Sequence, residues 1–470
     1  MIKDILKFSI SNIVNLVLGL LSAFILTRAF QPETYGVLNI FNTTVATGIS
    51  FLYLGLDSSY IRFYNEPPIN NTSAQLGSKL LFFCISLTVL LGIVMTSFFF
   101  DDLTDSIFGF KSRLICILLF ISIFSQIILR FLNIKHRMDF NSKAYTIQAI
   151  LIQISLKFFV IVAALFSLKV DLVLIINVMG VFVLSLVYTV VQRKSFFNFD
   201  NFFSYDGYGK VFLFAFFSAP LSICINLNNS LSQQLIKSSL GVSSVGVYSS
   251  ANYFVTVFSA LQGGFATYWA AYMYSNYKDK QESIKKVNEY LLLMIILVFY
   301  VMIIMRDIAY LLIGQKYQES KEFFSLVLCY PLLNLAAETT SYGISIKRKN
   351  HLSLISFIIS IIINLLLTYF LVPHFGLKGA ACASMISGVV LYVLRTVISQ
   401  RLYSSISDIK ITLIDVTVIT AMSIIPSAFD SMAANILTTV LVLTVLVLNK
   451  SRVSEIIAKA KEFLRNRQEG

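Results

Sequence analysis

Apolar runs of about 17 to 25 residues, long enough to cross a bilayer as helices, recur along the chain between charge or turn clusters. They predict fourteen spans, near residues 8–29, 37–56, 80–100, 114–132, 145–166, 171–191, 211–232, 245–269, 288–312, 323–346, 352–372, 376–394, 411–427 and 433–449. Several spans carry a polar stripe at helical spacing, which in lipid should face a neighbouring helix or a wet cavity. Span 1 has Asn12, Asn15, Gly19 and Ser22; span 2 has Asn39, Asn42, Thr43, Ala46 and Ser50. Span 7 has Ser218, Ser222, Asn226, Asn229 and Gln233, span 8 has Asn252, Thr256, Ser259 and Gly263, and span 10 has Asn334, Glu338, Ser341 and Ser345. Span 9 has almost nothing polar between Leu291 and Met305, which predicts an outer position against lipid.

A weak repeat at an offset of about 208 residues divides the spans. Tyr35-Gly36-Val37-Leu38-Asn39 matches Val245-Gly246-Val247-Tyr248-Ser249, and Val178-Met179-Gly180-Val181 matches Ile386-Ser387-Gly388-Val389. Six spans return the chain to the same side, so the repeats are parallel and would leave a central cavity between them, suited to alternating access. The expected organisation is an all-α integral membrane protein of two six-helix lobes, residues 1–192 and 211–403. An aromatic interfacial linker at 193–210 joins them, followed by two extra helices within 404–450 and a basic amphipathic cytoplasmic tail at 451–470. Stripes on spans 1 and 2 and on their mates 7 and 8 favour a shared cavity over simple interhelical glue, which need not respect the repeat.

Composition agrees with the spans: the 470 residues are 57% apolar and 13% charged, against about 25% charged in soluble domains. The net charge of +13 would suit nucleic acid on a soluble basic face, but these charges lie between apolar runs and no nucleic-acid partner is expected. Of the 37 Lys and Arg, 27 fall on the side that holds both termini, nine on the other, and Lys157 lies inside a span. The positive-inside rule therefore places both termini in the cytoplasm. The five cysteines lie singly in apolar runs and the three histidines are far apart, so neither a disulfide framework nor a metal site is expected. No phosphate-binding GxxxxGK[ST] motif is present, and no cofactor is implied.

Charges inside the bilayer are costly, so Lys157, Glu338 and Asp415 require a reason. Lys157, one turn from Gln153, is expected to face the cavity and meet an anionic substrate or an acidic partner; a static pair with Glu338 is the alternative. Glu338 and Asp57 are candidates for proton or ion coupling. Asn15, Asn42, Asn226 and Asn252 are candidate cavity residues.

The local sequence resembles the O-antigen and polysaccharide flippases of the multidrug/oligosaccharidyl-lipid/polysaccharide exporter superfamily. The resemblance is carried by Leu26-Thr27-Arg28 with Pro32-Glu33-Thr34-Tyr35-Gly36, by Gly55 to Tyr64, by Gly241 to Tyr248, by Ile313-Gly314-Gln315-Lys316-Tyr317 and by Phe375 to Ala381. It implies a bacterial inner-membrane protein, not an enzyme, that moves an undecaprenyl-diphosphate-linked oligosaccharide from the cytoplasmic to the periplasmic leaflet. The product would be O-antigen, as in lipopolysaccharide, or another surface polysaccharide. Membrane lipid is an implied partner, together with a polysaccharide polymerase and a chain-length regulator. The resemblance also implies cationic cavity residues, a role matched in position by Arg28 and Arg62, and a lipid-tail groove at residues 411–449. Two other readings are a cation-coupled multidrug exporter of the same superfamily and a membrane-embedded polymerase or glycosyltransferase.

Overall fold

The computed structural model describes residues 2–166, 168–198, 200, 207–347, 349–450, 452 and 454–455. Most of the tail expected at 451–470 lies outside the described residues, as do Phe199, Phe202, Phe203 and Tyr205 of the expected linker and the side chain of Asn15. Every regular element among the described residues is helical. That is the expected solution in hydrocarbon, where a helix satisfies its own backbone groups within one segment. The first elements are α1 (Ile2–Ala29), α2 (Pro32–Tyr53), α3 (Leu56–Phe63), α4 (Ser73–Phe98), α5 (Phe100–Phe108) and α6 (Arg113–Met138). They are followed by α7 (Ser142–Leu165), α8 (Val170–Val191), α9 (Arg193–Phe196), α10 (Gly209–Leu240) and α11 (Val242–Asn276). Then come α12 (Gln281–Ile304), α13 (Arg306–Leu311), a 3-10 segment (Gln315–Glu322), α14 (Phe324–Thr340) and α15 (Tyr342–Ile346). The last are α16 (Asn350–Gln400), α17 (Ile409–Ala428) and α18 (Ser431–Leu448).

Local signals set many of these starts. Pro32 opens α2 at a position where its missing N–H costs nothing. Thr72 and Gln75 form a reciprocal capping box on α4, and the Asp408 carboxylate accepts from the backbone N–H groups of Lys410 and Ile411. Nine helices among the described residues are long and apolar enough to cross a membrane, or eleven if each of two bent pairs counts as one span.

Two elements depart from straight rods. The run expected at 37–56 breaks between α2 and α3, which bend by 55° where Leu54 and Gly55 take φ of 48° and 75°. At Gly55 a Cβ would lie 2.3 Å from the Ala215 carbonyl oxygen, so only glycine fits the corner. α16, with 51 residues, would extend about 76 Å if straight. Gly376 turns it at φ 58°, and Ser360 Oγ donates to the Ser387 carbonyl at 2.8 Å. α16 is therefore an antiparallel pair of arms, corresponding to the spans expected at 352–372 and 376–394.

Packing divides the chain into two units, one of Met1–Thr256 with Gly314–Tyr317 and one of Val257–Ile313 with Gln318–Gly470. α10 and the first part of α11 thus pack with the helices that precede them, whereas the sequence repeat groups them with those that follow. In the first unit, polar side chains join α2 to α10: Thr43 donates to Gln233 Oε1 at 2.8 Å, Thr47 to the Asn226 carbonyl at 3.1 Å, and Asn226 to Ser50 Oγ at 2.7 Å. The segment after α8 docks on α4, where Ser78 donates to the Phe196 carbonyl at 2.9 Å and accepts from the Asn198 N–H at 3.0 Å.

In the second unit α12 packs Leu292, Ile295, Ile296, Phe299 and Ile303 inward and exposes Met294, Leu297, Val298 and Val301. Its apolar surface therefore serves both packing and exposure, more than the outer position expected for span 9. The corner after α12 is held by Arg306, which is 3% exposed. Its guanidinium donates to the Pro426 carbonyl at 3.1 Å and to Ser431 Oγ at 2.7 Å, and lies 3.4 Å from the Asp307 carboxylate. Arg306→Ala should leave the α17–α18 turn with unpaired acceptors and cost roughly 2–4 kcal/mol. The expected outcome is a lower melting temperature for the detergent-solubilised protein, with Arg306→Lys recovering only part of the loss.

Candidate functional site

In the first unit, α2, α6 and α7 line an open cavity of about 350 Å³. Gln126, Arg130 and Asn133 lie one turn apart along α6, and Tyr145 and Gln153 are supplied by α7; Ile49, Leu129, Ile152 and Leu156 make the apolar part. With Tyr53 of α2, the wall thus offers one cation and five neutral hydrogen-bonding side chains, with no carboxylate among its lining residues. Behind it, Arg130 Nη2 lies 3.3 Å from Asp57 Oδ2, with side-chain exposures of 45% and 15% respectively. The bend at Gly55 places Asp57 in the first turn of α3, within reach of Arg130.

Lys157 follows Leu156 of this wall on α7 and is half-buried. A Cβ at Gly19 would stand 3.4 Å from Lys157 Nζ and 3.6 Å from Thr256 Oγ1. The stripes of α1 and α11 therefore pass Lys157 together, with Asn15 one turn before Gly19 and the half-buried Asn252 one turn before Thr256. Asn42 is exposed on α2, while Asn226 is engaged with Ser50 as described above. Arg62 is exposed, pairs with Glu66 at 3.0 Å and lies over the Phe63 ring at 5.3 Å. Arg28 is exposed at the end of α1, away from the cavity at the far end of α2. The structure thus brings together Lys157, Gly19, Thr256 and the Gln153 wall, but does not gather the three expected cations into one cluster.

From sequence, Arg130 reads as a helix-end charge that snorkels or orients the chain; its place on the helix face of Gln126 and Asn133 is the signal that points to the cavity. Arg395 was missed outright, because span 12 was ended at residue 394. In the second unit α16 continues to Gln400, and Arg395 donates to Asn334 Oδ1 at 3.3 Å and to Ser341 Oγ at 3.0 Å. Asn334 donates to Gln262 Oε1 at 3.3 Å, and Gln262 to Glu338 Oε1 at 3.0 Å. The span 10 stripe is therefore one continuous hydrogen-bonded track from a carboxylate to a guanidinium. Asp415, fully buried, lies 3.6 Å from Arg452, which also meets Glu289 at 3.0 Å.

Solved structures similar to this chain share its fold. A structure of the lipid II flippase MurJ in an inward closed conformation matches with TM-score 0.70 and 15% identity, over 95% of this chain and 99% of that one. An inward-facing multidrug resistance MATE family transporter of the MOP superfamily matches with TM-score 0.60 and 16% identity, over 84% and 98%. A MOP superfamily transporter from Pyrococcus furiosus, described as having a binding pocket of reverse polarity, matches with TM-score 0.56 and 16% identity, over 85% and 96%. No curated protein matches in sequence. The fold is that of MOP-superfamily transporters, a multi-pass helical membrane architecture. Residues 1–273 match the family described as polysaccharide biosynthesis protein, more than half of the chain, and the chain belongs to that family.

The unequal exposure of the Asp57–Arg130 pair gives an asymmetric expectation. Arg130→Ala should leave a largely buried carboxylate without its counter-charge and cost about 1–3 kcal/mol. Asp57→Ala leaves an arginine that water can reach and should cost under about 1 kcal/mol. Thermal unfolding of both single variants and the double variant measures the difference.

Proposed function

We propose that this protein flips an undecaprenyl-diphosphate-linked oligosaccharide from the cytoplasmic to the periplasmic leaflet of a bacterial inner membrane, for O-antigen or another surface polysaccharide. In this reading the chain crosses fourteen times with both termini cytoplasmic, and the repeat-related lobes 1–192 and 211–403 rock to give alternating access. A polymerase and a chain-length regulator would act on the delivered units. The observation that carries the proposal is the wall of the first-unit cavity, with Arg130, Gln126, Asn133, Tyr145 and Gln153 and no carboxylate. Sugar hydroxyls and a diphosphate need hydrogen-bond donors and positive charge, and they cannot enter hydrocarbon without them. The polyprenyl tail has no such need and can stay in lipid.

Lys157, one residue beyond this wall, extends the same chemistry toward α1 and α11, with Arg28 and Arg62 serving at the rims. Asn15, Asn42, Asn226 and Asn252 supply further hydrogen-bonding positions. Glu338 and Asp57, the candidate coupling groups, each have a partner in their own unit, Gln262 and Arg130. The MATE-like fold keeps multidrug export as the second reading, but a cationic drug would favour carboxylates in the wall over an arginine.

Depleting the protein in its host should trap complete lipid-linked repeat units on the cytoplasmic leaflet, read by leaflet-specific labelling and sugar profiling. Unchanged delivery to the periplasmic leaflet, with no second flippase present, would overturn the substrate assignment. Lys157→Ala and Arg62→Ala should each lower flipping about tenfold, roughly the loss of one charge-assisted contact, at unchanged membrane abundance. Normal flipping in both would remove the electrostatic site.

A further inference from the structure

Three glycines bring backbones into direct contact at one end of the first unit. A Cβ on Gly36 of α2 would lie 2.2 Å from the carbonyl oxygen of Val242 at the start of α11. Reciprocally, a Cβ on Gly246 of α11 would lie 2.0 Å from the carbonyl oxygen of Pro32 at the start of α2. A Cβ on Gly314 would lie 2.0 Å from the carbonyl oxygen of Thr27 near the end of α1. No rotamer change relieves such overlaps, because the obstructing atoms are backbone; a single methyl group would force the segments apart.

Directional bonds fasten the same seam. The Gly314 N–H donates to Thr27 Oγ1 at 3.2 Å, and the Tyr317 hydroxyl donates to the Phe30 carbonyl at 3.1 Å. The Tyr35 ring stacks on Tyr253 and meets Tyr317 edge-on, with centroids 5.8 Å apart in each pair. Ser249, one turn from Gly246, is 3% exposed, and its hydroxyl has no hydrogen-bond partner among the described residues. Buried hydroxyls are normally satisfied; this one would be hydrated if the seam parted.

Two independent features give the seam a role. Gly36 and Gly246 are the equivalent glycines of the sequence repeat, so the repeated motif marks the point where the two helix starts cross. The loops that meet here follow spans 1, 7 and 9, all assigned by the charge bias to the non-cytoplasmic side. The cavity lined by Ile49, Tyr53, Arg130 and Tyr145 sits toward the other end of α2. The unit is thus sealed at one end and hollow toward the other.

We propose that Gly36, Gly246 and Gly314 are the contact points of the outward gate, a seal tight enough that one added methyl group holds it ajar. The proposal deepens the transporter reading above and rests on it for the gate's purpose. Its test is the rate at which Ser249→Cys reacts with a membrane-impermeant maleimide added to intact cells, with the five native cysteines replaced by alanine. Labelling should be slow in this parent and about tenfold faster with Gly36→Ala, Gly246→Ala or Gly314→Ala, an equilibrium shift of about 1.4 kcal/mol.

Gly209→Ala should stay at the parent rate, since nothing lies within 4 Å of a Cβ there. Tyr317→Phe removes the hydroxyl bond of the seam, and Thr27→Val removes the Gly314 bond together with the Thr27 hydroxyl's bond to the Ala23 carbonyl within α1; both should label about threefold faster and keep the test decisive if a glycine variant fails to reach the membrane. Parent-rate labelling in the folded variants, or labelling only from the cytoplasmic face, would overturn the gate. The readout does not depend on cargo. A wrong substrate assignment would leave the labelling pattern intact, whereas a wrong gate would leave flipping intact in variants that label at the parent rate.

Discussion

Hydrocarbon offers no hydrogen bonds, and the arrangement of this molecule follows from where its polar groups find them instead. Backbone groups find partners within helices, which leaves the side chains to be matched across helices. Thr43, Thr47, Ser50, Asn226 and Gln233 do this between α2 and α10. Asn334, Glu338, Ser341, Gln262 and Arg395 do it among α11, α14 and α16. Individual interhelical bonds of this kind contribute only about 0.6 kcal/mol on average, so their larger effect is on register. A helix shifted by one turn would strand every member of the track.

The same constraint explains the two uses of the polar stripes. Asn226 belongs to a stripe and spends its amide on Ser50, which is the glue expected of any membrane bundle. Lys157 follows the Gln153 wall on α7 and rests where Gly19 leaves room on α1, with Thr256 of α11 beside the same glycine. The Gln126–Arg130–Asn133 face borders open volume in addition to other helices. One kind of stripe holds helices in place, and the other offers polar groups to open volume.

The spans were legible because a bilayer imposes a minimum apolar length, and the runs at 114–132, 171–191 and 411–427 correspond closely to α6, α8 and α17. The bend at Leu54 and Gly55 was less legible: an apolar run has the same signature whether it is straight or broken, and Gly55 fell inside the run at 37–56. Arg395 was hidden for a related reason. A charge near a span's end reads as a loop residue unless its partners are known, and Asn334, Gln262 and Ser341 lie on other helices. Nor could sequence tell which side of α12 is packed, since Leu292 and Phe299 on its packed face are as apolar as Met294 and Val301 on its exposed one.

By itself the sequence determined the multi-pass helical membrane class, most of the apolar runs that recur as helices, and the resemblance that the family match bears out. These rest on length, hydropathy and local motifs, which are properties of neighbouring residues. Only the tertiary structure decided that Arg130 sits in a cavity wall with Asp57 behind it, that the span 10 stripe ends on Arg395, and that Gly36, Gly246 and Gly314 meet other backbones. The reason is distance along the chain. Gly36 and Val242, or Thr27 and Gly314, are separated by more than 200 residues, and their meeting follows from how whole helices pack rather than from any pattern within one of them.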